Sequence, residues 1–332
     1  IDIMNKLFLI NEDEKKRILG LHESATKKQY LKEEDSVMVP EVNQEISEVD
    51  TGMLVTNTIM FGPLGGIIAA FSAIHFGFGV DVWGSLIYGM TLVGPFVIIT
   101  DKSLSKIEKD RLWVIILIMI FVIFCWMSFE QAGASLTFFA EEQTNRTIFG
   151  WEMPASYFQS FNAGFIVILA PIISAIWVRL AKKGINPVAP YKQSLGLGFL
   201  AIGFLLIAFG SKVIPASGAS IFFLTGLYFL HTIGELCLSP IGLSMVNKLT
   251  PARFTSLMMG IWFLAVATGN KLAGTMSSLY PDPAATTHPS IFGFEISDLP
   301  SYFMVFVVFS GTAAVLLFLL SRRLQKMMHG VN

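Results

Sequence analysis

The stretch LWVIILIMIFVIFCWMSFE, Leu112–Glu130, runs from Leu112 to Phe129 without a charged side chain and then meets a carboxylate. A helix that crosses a bilayer needs about 20 mostly apolar residues. This run supplies them when it continues through Gln131-Ala-Gly-Ala-Ser-Leu136 to Phe139. In hydrocarbon every backbone amide must find its partner inside the segment, which selects a helix. Seven further stretches pass the same test: Met53–Phe76, Val82–Ile99, Tyr157–Leu180, Ser194–Phe209, Ile221–Val246, Phe254–Leu279 and Tyr302–Leu320. The fifth span in chain order, Ser194–Phe209, is the shortest, with room to extend at either end. The expected fold class is therefore all-α integral membrane, with eight spanning helices.

Composition agrees. Only 14% of the 332 residues are charged, against about 25% in soluble domains. The 29 Phe and 15 Met suit lipid-facing and helix-packing surfaces. A formal net charge of -1 gives no global field that would attract nucleic acid. Cys125 and Cys237 both sit in apolar runs and imply no disulfide framework.

Residues 1–51 differ in character. They are polar and mixed in charge, and read as a cytoplasmic segment and linker. Asn11 with Glu14 forms a capping-box pattern ahead of an expected helix over Glu12–Leu31. The acidic stretch Glu33–Asp50 reads as linker.

Lys and Arg fix the orientation. They gather in alternate connections: Lys102, Lys106, Lys109 and Arg111; Arg179, Lys182, Lys183 and Lys192; Lys248 and Arg253; and the tail residues Arg322, Arg323 and Lys326. The opposite side has Arg146 and Lys212, and the connections Gly77–Asp81 and Pro281–Ser301 have neither residue type. The expectation is a multi-pass protein of the cytoplasmic (inner) membrane with both ends in the cytoplasm. The proline-rich outer connection Tyr280–Pro300 reads as an ordered or semi-rigid turn.

Ionisable residues within spans are expensive and mark function by default. Glu130 lies deep in the third span and Glu235 in the middle of the sixth. Low dielectric disfavours the charged form of a carboxyl, which suits a proton relay at Glu130; a structural pair between helices is the alternative. Glu235 precedes Ser239 and Pro240, and proline frees a backbone carbonyl one turn back. Broken helices at the midplane favour transporter binding sites, so Glu235 could receive a ligand ammonium group or act as packing glue. His231, one turn before Glu235, is read as a hydrogen-bonded helix histidine, with a proton-linked role as the alternative. Lys271 is expected to snorkel toward the outer headgroups. Trp126 and Trp262 are either pocket walls or packing residues. No Walker loop, zinc-protease motif or nucleophile elbow is present, so an enzyme is not expected.

Several stretches resemble the proton-dependent oligopeptide transporter family of the major facilitator superfamily. Phe129-Glu-Gln-Ala-Gly-Ala-Ser-Leu136 is similar to its seventh core helix, with Gly133-Ala-Ser135 in place of the commoner Gly-Ser-Ser. Gln159-Ser-Phe-Asn162 is similar to the start of the eighth helix, and Gly234-Glu-Leu-Cys-Leu-Ser-Pro-Ile-Gly-Leu-Ser244 to the tenth. The run from Lys248 through Leu257-Met-Met-Gly-Ile-Trp-Phe-Leu264 to Gly269-Asn-Lys-Leu-Ala-Gly274 resembles the connection that follows and the eleventh helix.

The resemblance implies a two-helix inter-bundle insertion over residues 52–111 and a C-terminal six-helix bundle over residues 112–332. It implies proton coupling at Glu130, which in the family pairs with an arginine on the first helix. It implies substrate contacts from Asn162, Glu235, Trp126, Trp262 and Ser239, the first two holding a peptide's amino terminus. The implied activity is proton-coupled symport of di- and tripeptides, with the proton as coupling ion and no cofactor or metal. The family's N-terminal half carries a Glu-x-x-Glu-Arg motif, and residues 1–51 hold no such six-helix stretch. The expected partners are therefore peptide, membrane lipid and an N-terminal transporter half, without which the chain is not expected to transport. Two rival readings are a membrane scaffold or sensor derived from a transporter half, and a related symporter for another small solute.

Overall fold

The computed structural model describes residues 65–212, 214–282, 288–291 and 293–331, all within the compact unit Asn57–Asn332. The expected segment over residues 1–51, its helix at Glu12–Leu31, and residues 53–64 of the first expected span lie outside the described residues.

Apolar runs become helices in the expected order. α1 (Gly65–Ser72) continues through a π-helical stretch, Ala73–Gly77, and covers the described part of the first span. α2 (Val82–Ile99) starts at Asp81, whose Oδ1 accepts the Gly84 N–H at 3.0 Å. α3 (Lys106–Phe129) starts with a reciprocal capping box between Ser105 and Glu108. A 3₁₀ turn, Glu130–Gly133, and the short α4 (Ser135–Glu142) complete the same crossing. Then follow α5 (Tyr157–Lys182), α6 (Ala189–Lys212), α7 (Ile221–Leu249), α8 (Thr255–Ser277) and α9 (Leu299–Met327). Counting α3 through α4 as one, seven helices among the described residues are long and apolar enough to span.

Three details differ from the sequence reading. The third span is broken at Glu130–Ala134, where Ala134 adopts φ -136° and ψ -99°, instead of running straight to Phe139. The break leaves carbonyls that side chains recover: Thr137 Oγ1 donates to the Ala132 carbonyl at 2.8 Å. α6 begins at Ala189 because Pro190 fits the first helical turn, where an amide would have no partner anyway. The outer connections also carry two-residue strands. β1 (Thr144–Asn145) pairs in parallel with β4 (Ala219–Ser220), while β2 (Thr147–Ile148) with β3 (Trp151–Glu152) and β5 (Ser290–Ile291) with β6 (Phe294–Glu295) form small antiparallel ribbons.

α6 is held closely between α7 and α9. A Cβ on Gly196 would stand 2.7 Å from the Gly234 carbonyl oxygen, and one on Gly234 would stand 2.8 Å from the Gly196 oxygen. The two backbones therefore touch, as small residues permit between membrane helices. Gly203 and Gly210, each seven residues further on, give room to the His231 and Phe223 rings of α7.

α2 is tied to α8. Lys271 Nζ lies 2.6 Å from Asp81 Oδ2, and Thr91 Oγ1 lies 2.7 Å from Thr268 Oγ1. The Lys271 side chain thus reaches toward the outer connection, where its ammonium meets the half-exposed Asp81 carboxylate. That partner and the Gly84 N–H hold the Asp81 carboxyl below its ordinary range.

Candidate functional site

Glu130 stands where α3 gives way to the 3₁₀ turn, half-buried and facing a cavity of about 140 Å³. Phe129, Ala132 and Gly133 line one side, Gln159 and Asn162 come from α5, and Tyr228 and His231 come from α7. Among the described residues the Glu130 carboxyl has neither a hydrogen bond nor an ion pair.

Glu235, one turn beyond His231, is also half-buried. Asn162 Nδ2 donates to Glu235 Oε2 at 2.9 Å and to Thr232 Oγ1 at 3.1 Å, so both amide hydrogens are used. Thr232 Oγ1 in turn donates to the Tyr228 carbonyl at 2.7 Å. Aromatic contacts hold this part of α5 to α7: Phe158 stacks on Tyr228 with centroids 6.5 Å apart, and Phe165 meets Phe229 edge-on at 5.5 Å.

The remaining sequence candidates are placed differently from one another. Trp126 lies behind the cavity wall, edge-on to Phe129 at 5.5 Å. Trp262 is buried in the apolar core, where a Cβ on Gly242 of α7 would lie 2.5 Å from its Cζ2. Ser239 is half-buried next to Pro240. Neither Trp262 nor Ser239 lines this cavity. His231 is 2% exposed; its Nε2 has no hydrogen-bond partner, and its ring lies 4.8 Å from that of Phe204, so the expected hydrogen bond is not made by that atom.

The sequence reading missed Gln131, which is fully buried beside Glu130. Its Nε2 donates to the Met127 and Ala273 carbonyls, both at 3.1 Å. Three hydroxyls converge on its Oε1: Ser135 at 2.7 Å, Ser277 at 3.0 Å and Tyr302 at 3.0 Å. The last two also lie near the Ala273 and Met276 carbonyls. This network ties α3, α4, α8 and α9 together at the break that presents Glu130. The signal was available, because a polar amide inside an apolar run needs partners.

Residues 85–292, more than half of the chain, match the PTR2 profile of the POT family. The peptide transporter YePEPT of Yersinia enterocolitica is 39% identical over 175 residues, which are 52% of this chain and 34% of that protein. An uncharacterized transporter of Bacillus subtilis, YclF, is 31% identical over 71% of this chain and 44% of its own. Dipeptide and tripeptide permease B of Salmonella typhimurium is 28% identical over 78% of this chain and 52% of its own. The chain thus spans about a third to about half of these relatives' length. The crystal structure of peptide transporter POT in complex with sulfate superposes with a TM-score of 0.62 and 25% identity, covering 84% of this chain and 55% of that one. A POT family transporter in complex with 5-aminolevulinic acid gives 0.59 and 22%, covering 95% and 56%. The seven apolar helices and the matched span together establish that this chain is a transmembrane protein of the POT family of peptide transporters.

Proposed function

We propose that this chain supplies the C-terminal half of a proton-coupled di- and tripeptide symporter of the cytoplasmic membrane, with the ends of its six-helix bundle in the cytoplasm. The observation that carries this reading is the Asn162–Glu235 hydrogen bond of 2.9 Å beside a cavity into which the unpaired Glu130 faces. A carboxylate already oriented by an amide offers its other lone pairs to a peptide's ammonium group, a charge-assisted bond of the stronger kind. Glu130 takes up and releases the coupling proton, and an arginine from the N-terminal half is the partner it acquires. Trp126 backs the pocket through Phe129, while Ser239 completes its α7 side once the two halves meet. Rocking of one half against the other around a midplane site then moves the peptide.

The test is proton-driven uptake of a labelled dipeptide into vesicles, by the chain alone and joined to an N-terminal half of the family. Uptake only in the joined form, lost with Glu130→Gln, is the expected result. Uptake by the chain alone, or indifference to Glu130→Gln, would overturn the reading.

A further inference from the structure

α5 is held to α7 near one end only. Its ring contacts and hydrogen bonds to α7 fall at Phe158, Asn162 and Phe165. Its spanning window is 6% buried, against 61% for α6. Beyond Leu169 it stands apart from α6 and α9 and leaves a crevice of about 790 Å³. Ile173 and Trp177 of α5, Gly198 of α6 and Phe318 of α9 line the walls, and Ile233 and Cys237 of α7 form the floor. The lining is almost wholly apolar apart from the mouth, where Lys192 places its ammonium 4.9 Å from the centre of the Trp177 ring.

The charged residues that α5, α6 and α9 bring to this mouth are basic. From Met153 to Gly234 and from Leu299 to Asn332 the chain has no Asp or Glu. The same stretches bring Arg179, Lys182 and Lys183 to the end of α5 and Arg322 and Arg323 to the end of α9. A second hollow of about 330 Å³, sharing Lys192 and Pro187 with the crevice, continues toward Lys248. Depth fits as well. From Tyr191 to Phe199 along α6 is about 12 Å at ~1.5 Å per residue, close to the roughly 15 Å of hydrocarbon in one leaflet.

We infer that this crevice holds one acyl chain of an anionic phospholipid, its phosphate seated at Lys192 under the basic rim. Apolar walls accept any lipid chain; the basic side chains of the rim select the headgroup, as basic hollows between membrane helices do. Tyr191, edge-on to Phe318 at 5.5 Å, closes the mouth at the level where aromatic rings favour the interface. The site stands on bilayer placement alone and does not depend on peptide transport.

The test is native mass spectrometry of the full chain, titrated with phosphatidylglycerol or with phosphatidylcholine of the same chain length. Phosphatidylglycerol is retained preferentially, and Lys192→Gln lowers that preference about fivefold. Gly198 has open space beyond its Cβ position, so Gly198→Leu fills the crevice and reduces retention of both lipids. Equal retention of the two lipids, or undiminished phosphatidylglycerol in Gly198→Leu, overturns the inference. So does a doubled mass that Gly198→Leu abolishes, which would give the crevice to a second copy of the chain. A measurement on the unfilled crevice guards against failed folding. Trp177 emission, taken as the difference from Trp177→Phe, is quenched more by brominated phosphatidylglycerol than by brominated phosphatidylcholine in mixed vesicles of the two; equal quenching overturns the assignment.

Discussion

Asn162 decides the geometry of the site because it spends both amide hydrogens on α7, one on Glu235 and one on Thr232. Asn162→Ala removes both and leaves Glu235 to turn freely. In the joined transporter the KM for a dipeptide is expected to rise about tenfold or more, since a hydrogen bond to a charged group is worth ~1.5–3 kcal/mol; initial-rate uptake checks it. Gln131 has a different role. It touches none of the cavity, yet it fixes the break that presents Glu130. Gln131→Ala strands the hydroxyls and carbonyls around it, at about 1–3 kcal/mol for a buried group left unpaired. A thermal midpoint that falls while the dipeptide KM rises in step across Gln131 variants would show support of the turn. Glu130, Glu235 and Asn162 were legible in the sequence because each is polar within an apolar run. The burial of Trp262 was not, because an indole in mid-helix suits a pocket or a core equally, and Gly242 on another helix decides between them.

Helices show the same division. Every described span was legible, since about 20 apolar residues leave few alternatives in a bilayer. The break after Phe129 was hidden, because no proline marks it and its freed carbonyls are recovered by the side chains of Gln131 and Thr137. The two-residue strands were equally invisible, being set by which outer connections meet. Packing between helices yields a paired comparison. Gly196 touches the Gly234 carbonyl, whereas Gly198 on the same helix has nothing within 4 Å of its Cβ position. Gly196→Ala is expected to destabilise the fold by about 1–3 kcal/mol through overpacking. Gly198→Ala is expected to be neutral or better, given alanine's helix propensity. Unfolding of the two variants in one detergent measures the difference.

On the scale of the whole chain, α2 and α8 are joined by the Asp81–Lys271 ion pair and the Thr91–Thr268 contact. The folded Asp81 carboxyl lies below its unfolded range, so its contribution is complete above about pH 4 and is lost as pH falls through the lower, folded value. Hydrogen exchange in the first turn of α2, corrected for intrinsic rates, should be flat down to about pH 4 and accelerate below it. Asp81→Asn should already exchange fast at neutral pH and lose the acid step. A flat profile in the unaltered chain would remove Asp81 from this role.

The parallel pairing of Thr144–Asn145 with Ala219–Ser220 bears on how such a chain is threaded into the bilayer. One strand precedes α5 and the other follows α6, so they share a side only when both intervening helices have crossed. The backbone of Gly218 at φ +91° lies against Asn145 in a way that a side chain at this position would obstruct. A hairpin left half inserted would strand the two segments on opposite faces with their amides unjoined. This small clasp outside the apolar layer thus closes only on chains in which α5 and α6 have both crossed.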